Sequence, residues 1–226
     1  IATVSKKEDT KDQGKEKDNK SESTYRPVYH FSTPHKWKND PQKPIYFDGK
    51  YHYYYLYNHD YPKGNGTEWR HATSKDLVHW KDEGVAIPKY TNKNGDIWSG
   101  SVVEDKENTA GLGKGAIVAI MTQPSADGQK QEQYIWYSTD RGKTFKSYSK
   151  NLIMANPGTK DFRDPKVIWD NEHDKWVLVM SEGEKIGFYE SSNLKDWTYT
   201  GGFVTKDIGI TECPDLFQMK ADDGTV

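Results

Sequence analysis

The sequence predicts an all-β protein, and three observations lead there. From Tyr25 onward, short apolar or aromatic runs alternate with turns of Gly, Asn and Asp, and nothing shows the apolar spacing of an amphipathic helix. Aromatic residues make up 13% of the 226 residues, with 15 Tyr and 8 Trp, an excess that suits pleated, half-buried surfaces. A polar turn ending in an aromatic also recurs, as Ser74-Lys75-Asp76-Leu77-Val78-His79-Trp80, Ser138-Thr139-Asp140-Arg141-Gly142-Lys143-Thr144-Phe145 and Ser192-Asn193-Leu194-Lys195-Asp196-Trp197. Each copy reads as the close of one group of strands.

Taken in chain order, residues 1–24 hold six Lys and six Asp or Glu among polar neighbours. Such a segment buries too little apolar surface to offset its ordering entropy, so it reads as disordered. Strands are then predicted at Ile45 to Phe47, Tyr51 to Tyr57, Glu68 to Thr73, Ile97 to Glu104, Ala116 to Thr122 and Gln133 to Ser138. Lys166 to Trp169, Trp176 to Ser181, Ile186 to Glu190 and Leu216 to Met219 complete the set. Asp48-Gly49, Asn94-Gly95 and Asp127-Gly128 supply turn chemistry between them.

Polar or acidic strand starts recur near Asp40, Ser99, Asp164 and Glu212, at intervals of about 50 to 65 residues. That spacing fits four-stranded propeller blades with some long loops. A β-sandwich is the alternative, although it predicts no such period.

Composition excludes several classes. The formal net charge is −2 and no basic stripe is present, so nucleic-acid binding has little electrostatic support. The single cysteine, Cys213, excludes an internal disulfide framework and a cysteine metal cluster. No apolar run approaches the roughly 18 residues of a membrane span. The chain opens on Ile1 followed by a polar tether, which suggests either a removed leader or a sequence cut at that point, and the first would fit a secreted or surface-attached bacterial protein.

Three acids stand out: Asp40 in Asn39-Asp40-Pro41, Asp164 in Arg163-Asp164-Pro165 and Glu212 in Glu212-Cys213-Pro214. A proline beside a carboxylate at a strand start fixes the local backbone and so the direction of the side chain. In a propeller, the first strands of different blades start at one end of the central channel, so the three acids would converge there. Grouped carboxylates are the usual equipment for cleaving glycosidic bonds.

Trp37-Lys38-Asn39-Asp40-Pro41, Trp98-Ser99-Gly100-Ser101, Phe162-Arg163-Asp164-Pro165 and Glu212-Cys213-Pro214-Asp215 resemble, in order, the sequence blocks of glycoside hydrolase family 32. The resemblance runs from about Tyr25 to the C-terminus. It implies a five-bladed β-propeller followed by a β-sandwich, of which this chain covers about three blades and the start of a fourth. On that expectation residues 25–226 form the N-terminal part of a catalytic propeller. They would be poorly stable alone, or would dock onto the C-terminal remainder of the same enzyme.

The resemblance also implies roles. Asp40 would be the nucleophile, Glu212 the general acid/base and Asp164 the stabiliser of the transition state. In a retaining mechanism the two catalytic carboxyls lie about 5 to 5.5 Å apart and a covalent fructosyl intermediate forms. Asn39 would assist Asp40, and Arg163 would contact a second sugar or anchor the acid. Trp37, Trp69 and Trp98 would wall a furanose, with Ser99 offering a hydroxyl. No metal or organic cofactor is required.

The chain departs from the family's usual Trp-Met-Asn-Asp-Pro-Asn-Gly block at Lys38, Gln42 and Lys43, and carries Leu56 where a Gln is common. These changes favour a polymer over sucrose, and the Asn39 to Pro44 run is similar to that of bacterial endo-levanases, which cut β-2,6-linked fructan internally. An exo-acting inulinase or invertase, a fructosyltransferase and a non-catalytic sugar-binding propeller are the competing readings.

Overall fold

The computed structural model describes residues 27, 30–33, 35–64, 66–90 and 93–225, so the polar segment 1–24 lies outside the described residues. Among those described there is no helix, and the strands form three antiparallel sheets. The first holds β1 (Trp37–Pro41), β2 (Ile45–Phe47), β3 (Lys50–Asn58), β4 (Glu68–Ser74) and β5 (Trp80–Ile87), in the order β1-β3-β4-β5 with the short β2 paired to β3. The second runs β6 (Gly100–Asp105), β7 (Ala116–Pro124), β8 (Gln131–Ser138) and β9 (Lys146–Met154). The third runs β10 (Phe162–Asp170), β11 (Lys175–Glu182), β12 (Lys185–Ser191) and β13 (Thr198–Val204). Up-and-down sheets repeated in chain order are propeller architecture, and three such sheets replace the two of a sandwich.

The period read from the sequence is one sheet. Asp40 lies on β1, Ser99 immediately before β6 and Asp164 on β10, the first strand of each sheet. The turn repeat precedes the last strand of each. In all three copies a serine hydroxyl accepts the backbone N–H two residues on, Ser74 from Asp76, Ser138 from Asp140 and Ser191 from Asn193. The residue three beyond that serine (Leu77, Arg141 or Leu194) has positive φ. The third copy thus begins at Ser191, one residue earlier than expected. Asp48 and Gly49, with φ of 50° and 71°, make the tight β2–β3 hairpin turn.

The sequence did not reveal β1, β5, β9 or β13. Strand β9, for example, alternates exposed and half-buried residues along Lys146–Met154 with one buried position. The last strand of each sheet has one covered edge and much solvent, so it carries no long apolar run. Leu216 to Met219, expected as a strand, has no strand structure, and Phe217 and Met219 are exposed. No strand among the described residues pairs with it.

Two cores hold the sheets together. Ile117, Ala119 and Met121 of β7 face the first sheet, packing with Tyr54, Leu56, Trp69 and Phe145. The intervening Val118 and Ile120 face the third sheet, with Val167, Trp176, Leu178 and Met180. Side chains alternate along a strand, so a run apolar at every position marks a sheet covered on both faces. Of the turn aromatics, Phe145 and Trp197 pack into or against these cores, while Trp80 packs against a smaller cluster of Tyr55, Tyr57 and Ala72.

Gly100 opens β6 where β7 passes close by. A Cβ there would run into the Ile120 carbonyl and stand 2.6 Å from Met121 Cα, both backbone. Gly100→Ala should therefore lower stability by about 1–3 kcal/mol. Thermal melting checks this, and an unchanged Tm would show that the two strands separate freely.

Candidate active site

Asp40 and Asp164 occupy equivalent places on different sheets. Each lies within a break of register against its neighbour, between Lys38 and Pro41 on β1 and between Arg163 and Lys166 on β10. Pro41 and Pro165 explain the break, because a proline cannot donate to the ladder and is accommodated at bulges. The bulge re-aims the side chain beside it. Asp164 has φ 65°, a left-handed conformation uncommon outside glycine and held here by tertiary contacts. Its backbone N–H donates to Thr122 Oγ1 at 3.0 Å, and Thr122 in turn donates to Gln133 Oε1 at 2.8 Å.

The three acids line one cavity of about 690 Å³, together with Trp37, Asn39, Trp98, Ser99 and Arg163. Ser99 Oγ donates to Asp40 Oδ2 at 2.7 Å. Asp164 Oδ2 accepts the Cys213 N–H at 3.0 Å, and the Cys213 thiol lies 3.6 Å from that oxygen and 3.8 Å from Asp40 Oδ2. Asp164 is 4% exposed, and burial raises it above the usual carboxylate range against the pull of the Cys213 N–H, Lys43 and Arg163. Burial, followed by the nearby Asp164, pushes the Cys213 thiol up to about 12, so it remains a neutral donor between the two carboxylates.

Glu212 sits on the irregular segment after β13, with a side chain 64% exposed. Thr211 ties that segment down by donating its N–H to the Gly183 carbonyl at 2.8 Å. Arg163 Nη2 donates to Glu212 Oε1 at 2.9 Å, while Nη1 pairs with Asp161 at 2.5 Å. Arg163 thus spends these contacts on acidic side chains of the protein itself.

Several expectations need correcting. Trp69 is fully buried, and its indole N–H donates to the Trp98 carbonyl at 3.0 Å, so it braces the cavity wall from behind and does not face a sugar. The donor to Asp40 is Ser99 rather than Asn39, which leaves the Ser99 hydroxyl hydrogen engaged within the protein. Of the four departures from the family's usual blocks, Leu56 lines the cavity. Lys38 lies on the other side of β1, its Nζ 5.0 to 5.6 Å from the rings of Phe31, Tyr53 and Tyr55. Gln42 is buried, its amide bridging the Asp40 carbonyl and the Gly100 N–H, and Lys43 is buried beside it.

The sequence did not point to the end of β3 and the loop after it, of which Asn58, Tyr61 to Gly64, Gly66 and Thr67 line the cavity, or to Asp96, which also lines it. Tyr61 on that loop stacks on Trp37, ring centroids 6.4 Å apart and planes 24° from parallel. A tyrosine beside a proline in a polar loop carries no local signal for this, since the contact is made by the fold. Among the described residues no cluster of three or more His, Cys, Asp or Glu is arranged to hold a metal ion.

Carboxylates gathered in one cavity beside a tryptophan-lined wall are the equipment that glycoside hydrolases use. The chain belongs to glycosyl hydrolases family 32: residues 30–226 match that family's N-terminal domain. It is 74% identical over 206 residues to a levanbiose-producing levanase of Bacillus subtilis, covering 91% of this chain and 40% of that protein. A levanbiose-producing levanase of Geobacillus stearothermophilus is also 74% identical, over 186 residues, which are 82% of this chain and 47% of that one. The exo-inulinase of Aspergillus awamori has a similar structure, with a TM-score of 0.71 and 36% identity over 77% of this chain and 39% of its own. The chain thus spans less than half the length of these relatives.

Proposed function

We propose that this chain is the N-terminal part of a five-bladed catalytic propeller whose full-length protein hydrolyses levan, cutting the β-2,6-linked chain internally and releasing short oligosaccharides. The observation that carries this reading is that Asp40, Asp164 and Glu212 line one cavity. Asp40, oriented by the Ser99 hydroxyl, attacks the anomeric carbon, and Glu212 protonates the departing oxygen. The resulting fructosyl ester is then attacked by water that Glu212 deprotonates, and the anomeric configuration is retained. Asp164 accepts fructosyl hydroxyls, and its carboxylate strengthens those bonds as positive charge develops on the ring.

Both levanase relatives support levan as substrate, and Leu56 supports a pocket other than that of a sucrose hydrolase. The Trp37–Tyr61 stack offers an apolar face for a further sugar unit. A polymer of this size does not enter a cell, so the enzyme acts outside the bacterium, and the remaining length of the protein supplies the other blades and the β-sandwich. Incubation of the full-length protein with levan, inulin and sucrose, with product sizes followed in time, tests the reading. Short β-2,6 oligosaccharides should appear first from levan, with little action on sucrose. Fructose as the sole early product would mean exo attack, and no product from any of the three would favour a sugar-binding propeller.

A further inference from the structure

The loop between β3 and β4 is held more firmly than a surface turn requires. Within it, Lys63 and Gly64 donate their N–H groups to the Asp60 carbonyl at 2.8 and 3.1 Å. Asn58 donates its side-chain amide to the Gly64 carbonyl at 2.9 Å and accepts the Asp60 N–H at 3.1 Å. A Cβ at Gly64 would stand 2.6 Å from Asp60 Cβ, so a larger residue there would have to open the loop. Two further contacts tie the loop to the rest of the sheet. His59 Nδ1 lies 2.9 Å from Glu68 Oε2 at the start of β4, and its Nε2 lies 3.1 Å from Asp60 Oδ1. Lys89 Nζ, just after β5, reaches Asp60 Oδ2 at 2.7 Å and Asn58 Oδ1 at 3.3 Å. The Glu68 and Lys89 side chains are 4% and 8% exposed, so the loop is pinned by two buried charges. Pairs of exposed ions are worth little, whereas removing Asp60 would take a carboxylate from a buried ammonium.

What this bracing presents is an aromatic ring. Tyr61 is 48% exposed, lines the cavity that holds the three acids, and stacks on Trp37, which lines it too. A half-exposed ring adds little to the fold by burial, yet the backbone on both sides of it is fixed. Fixing such a ring in advance removes its ordering cost from the binding of a ligand. A flat ring with a hydroxyl at its edge suits a sugar, which offers C–H groups on one face and hydroxyls at its rim. Fructan is uncharged, so the ions of the loop serve as support and the ring as contact. We propose that Tyr61 is a specificity-determining residue that grips a fructan chain beyond the unit held at the acids, and that Asp60, with Lys89 and His59, positions it. This rests on the reading of the cavity as a fructan site, and on it the loop selects a chain over a disaccharide.

The test uses variants of the full-length protein with levan as substrate. Tyr61→Ala should raise KM by about tenfold with kcat little altered, because the contact is made equally before and during the reaction. Tyr61→Phe keeps the ring and should stay near the parental KM. Asp60→Asn should raise KM by a smaller factor, and in the Tyr61→Ala background it should add nothing, as a group acting through that ring requires. Binding of β-2,6-linked fructo-oligosaccharides, prepared by partial acid hydrolysis of levan, to the Asp40→Asn protein reads the same contact without turnover. Adding Tyr61→Ala to that protein should weaken binding by the same factor. A loss confined to kcat, or unchanged KM and binding, in Tyr61→Ala overturns the role of Tyr61. An Asp60→Asn effect that persists without the ring overturns the role of the brace. If the parent leaves levan uncleaved and the Asp40→Asn protein binds no fructo-oligosaccharide, the underlying reading of the cavity fails instead.

Discussion

Asp40→Asn in the full-length protein should reduce kcat on levan by at least about 10³-fold, with little change in fold or Tm. The amide keeps the size and the hydrogen bond with Ser99 Oγ but removes the charge and nucleophilic lone pair that would form the ester. The loss should fall on kcat and on kcat/KM alike, because the interaction exists in the reaction and not in the resting complex. Comparable melting of parent and variant would assign the loss to chemistry. A variant that keeps about a tenth of the parental rate would exclude Asp40 as the nucleophile.

Glu212→Gln should cost about 10²- to 10⁴-fold on levan, the usual worth of a positioned general acid. The dependence on leaving group makes this prediction sharp. With a fructoside whose leaving group is a good anion, departure needs no proton, so the first step should recover much of its rate. Hydrolysis of the ester would still lack its base, so a fructosyl adduct should build up on the peptide that carries Asp40. Mass spectrometry of the digested protein reads this directly. Equal losses on both substrates, with no adduct, would fit a role for Glu212 in binding alone, consistent with its pairing to Arg163.

Much of the architecture was legible because sheet periodicity is local. The run Ala116 to Thr122 announces a strand buried on both faces, and the serine turns before β5, β9 and β13 mark each sheet's end. The strands that escaped notice are those whose stability comes from a neighbour's ladder rather than from their own apolar residues. Lys146–Met154 pairs with β8, yet nothing in its composition separates it from a loop. Leu216 to Met219 shows the converse, an apolar run that is a strand only if something pairs with it.

By itself the sequence determined the all-β class, the spacing of the sheets and the three acids, since proline beside a carboxylate and alternation along a strand are written in adjacent residues. The tertiary structure decided which groups serve those acids. Asp40 meets the Ser99 hydroxyl across 59 positions and the Cys213 thiol across 173, and Asp164 meets the Cys213 N–H across 49. It also turned Trp69 into a brace, sent Lys38 to the far side of β1 and buried Lys43. The physical reason is that local rules set where a side chain leaves its strand. What it touches depends on how neighbouring sheets pack, and that is settled by contacts made far away along the chain.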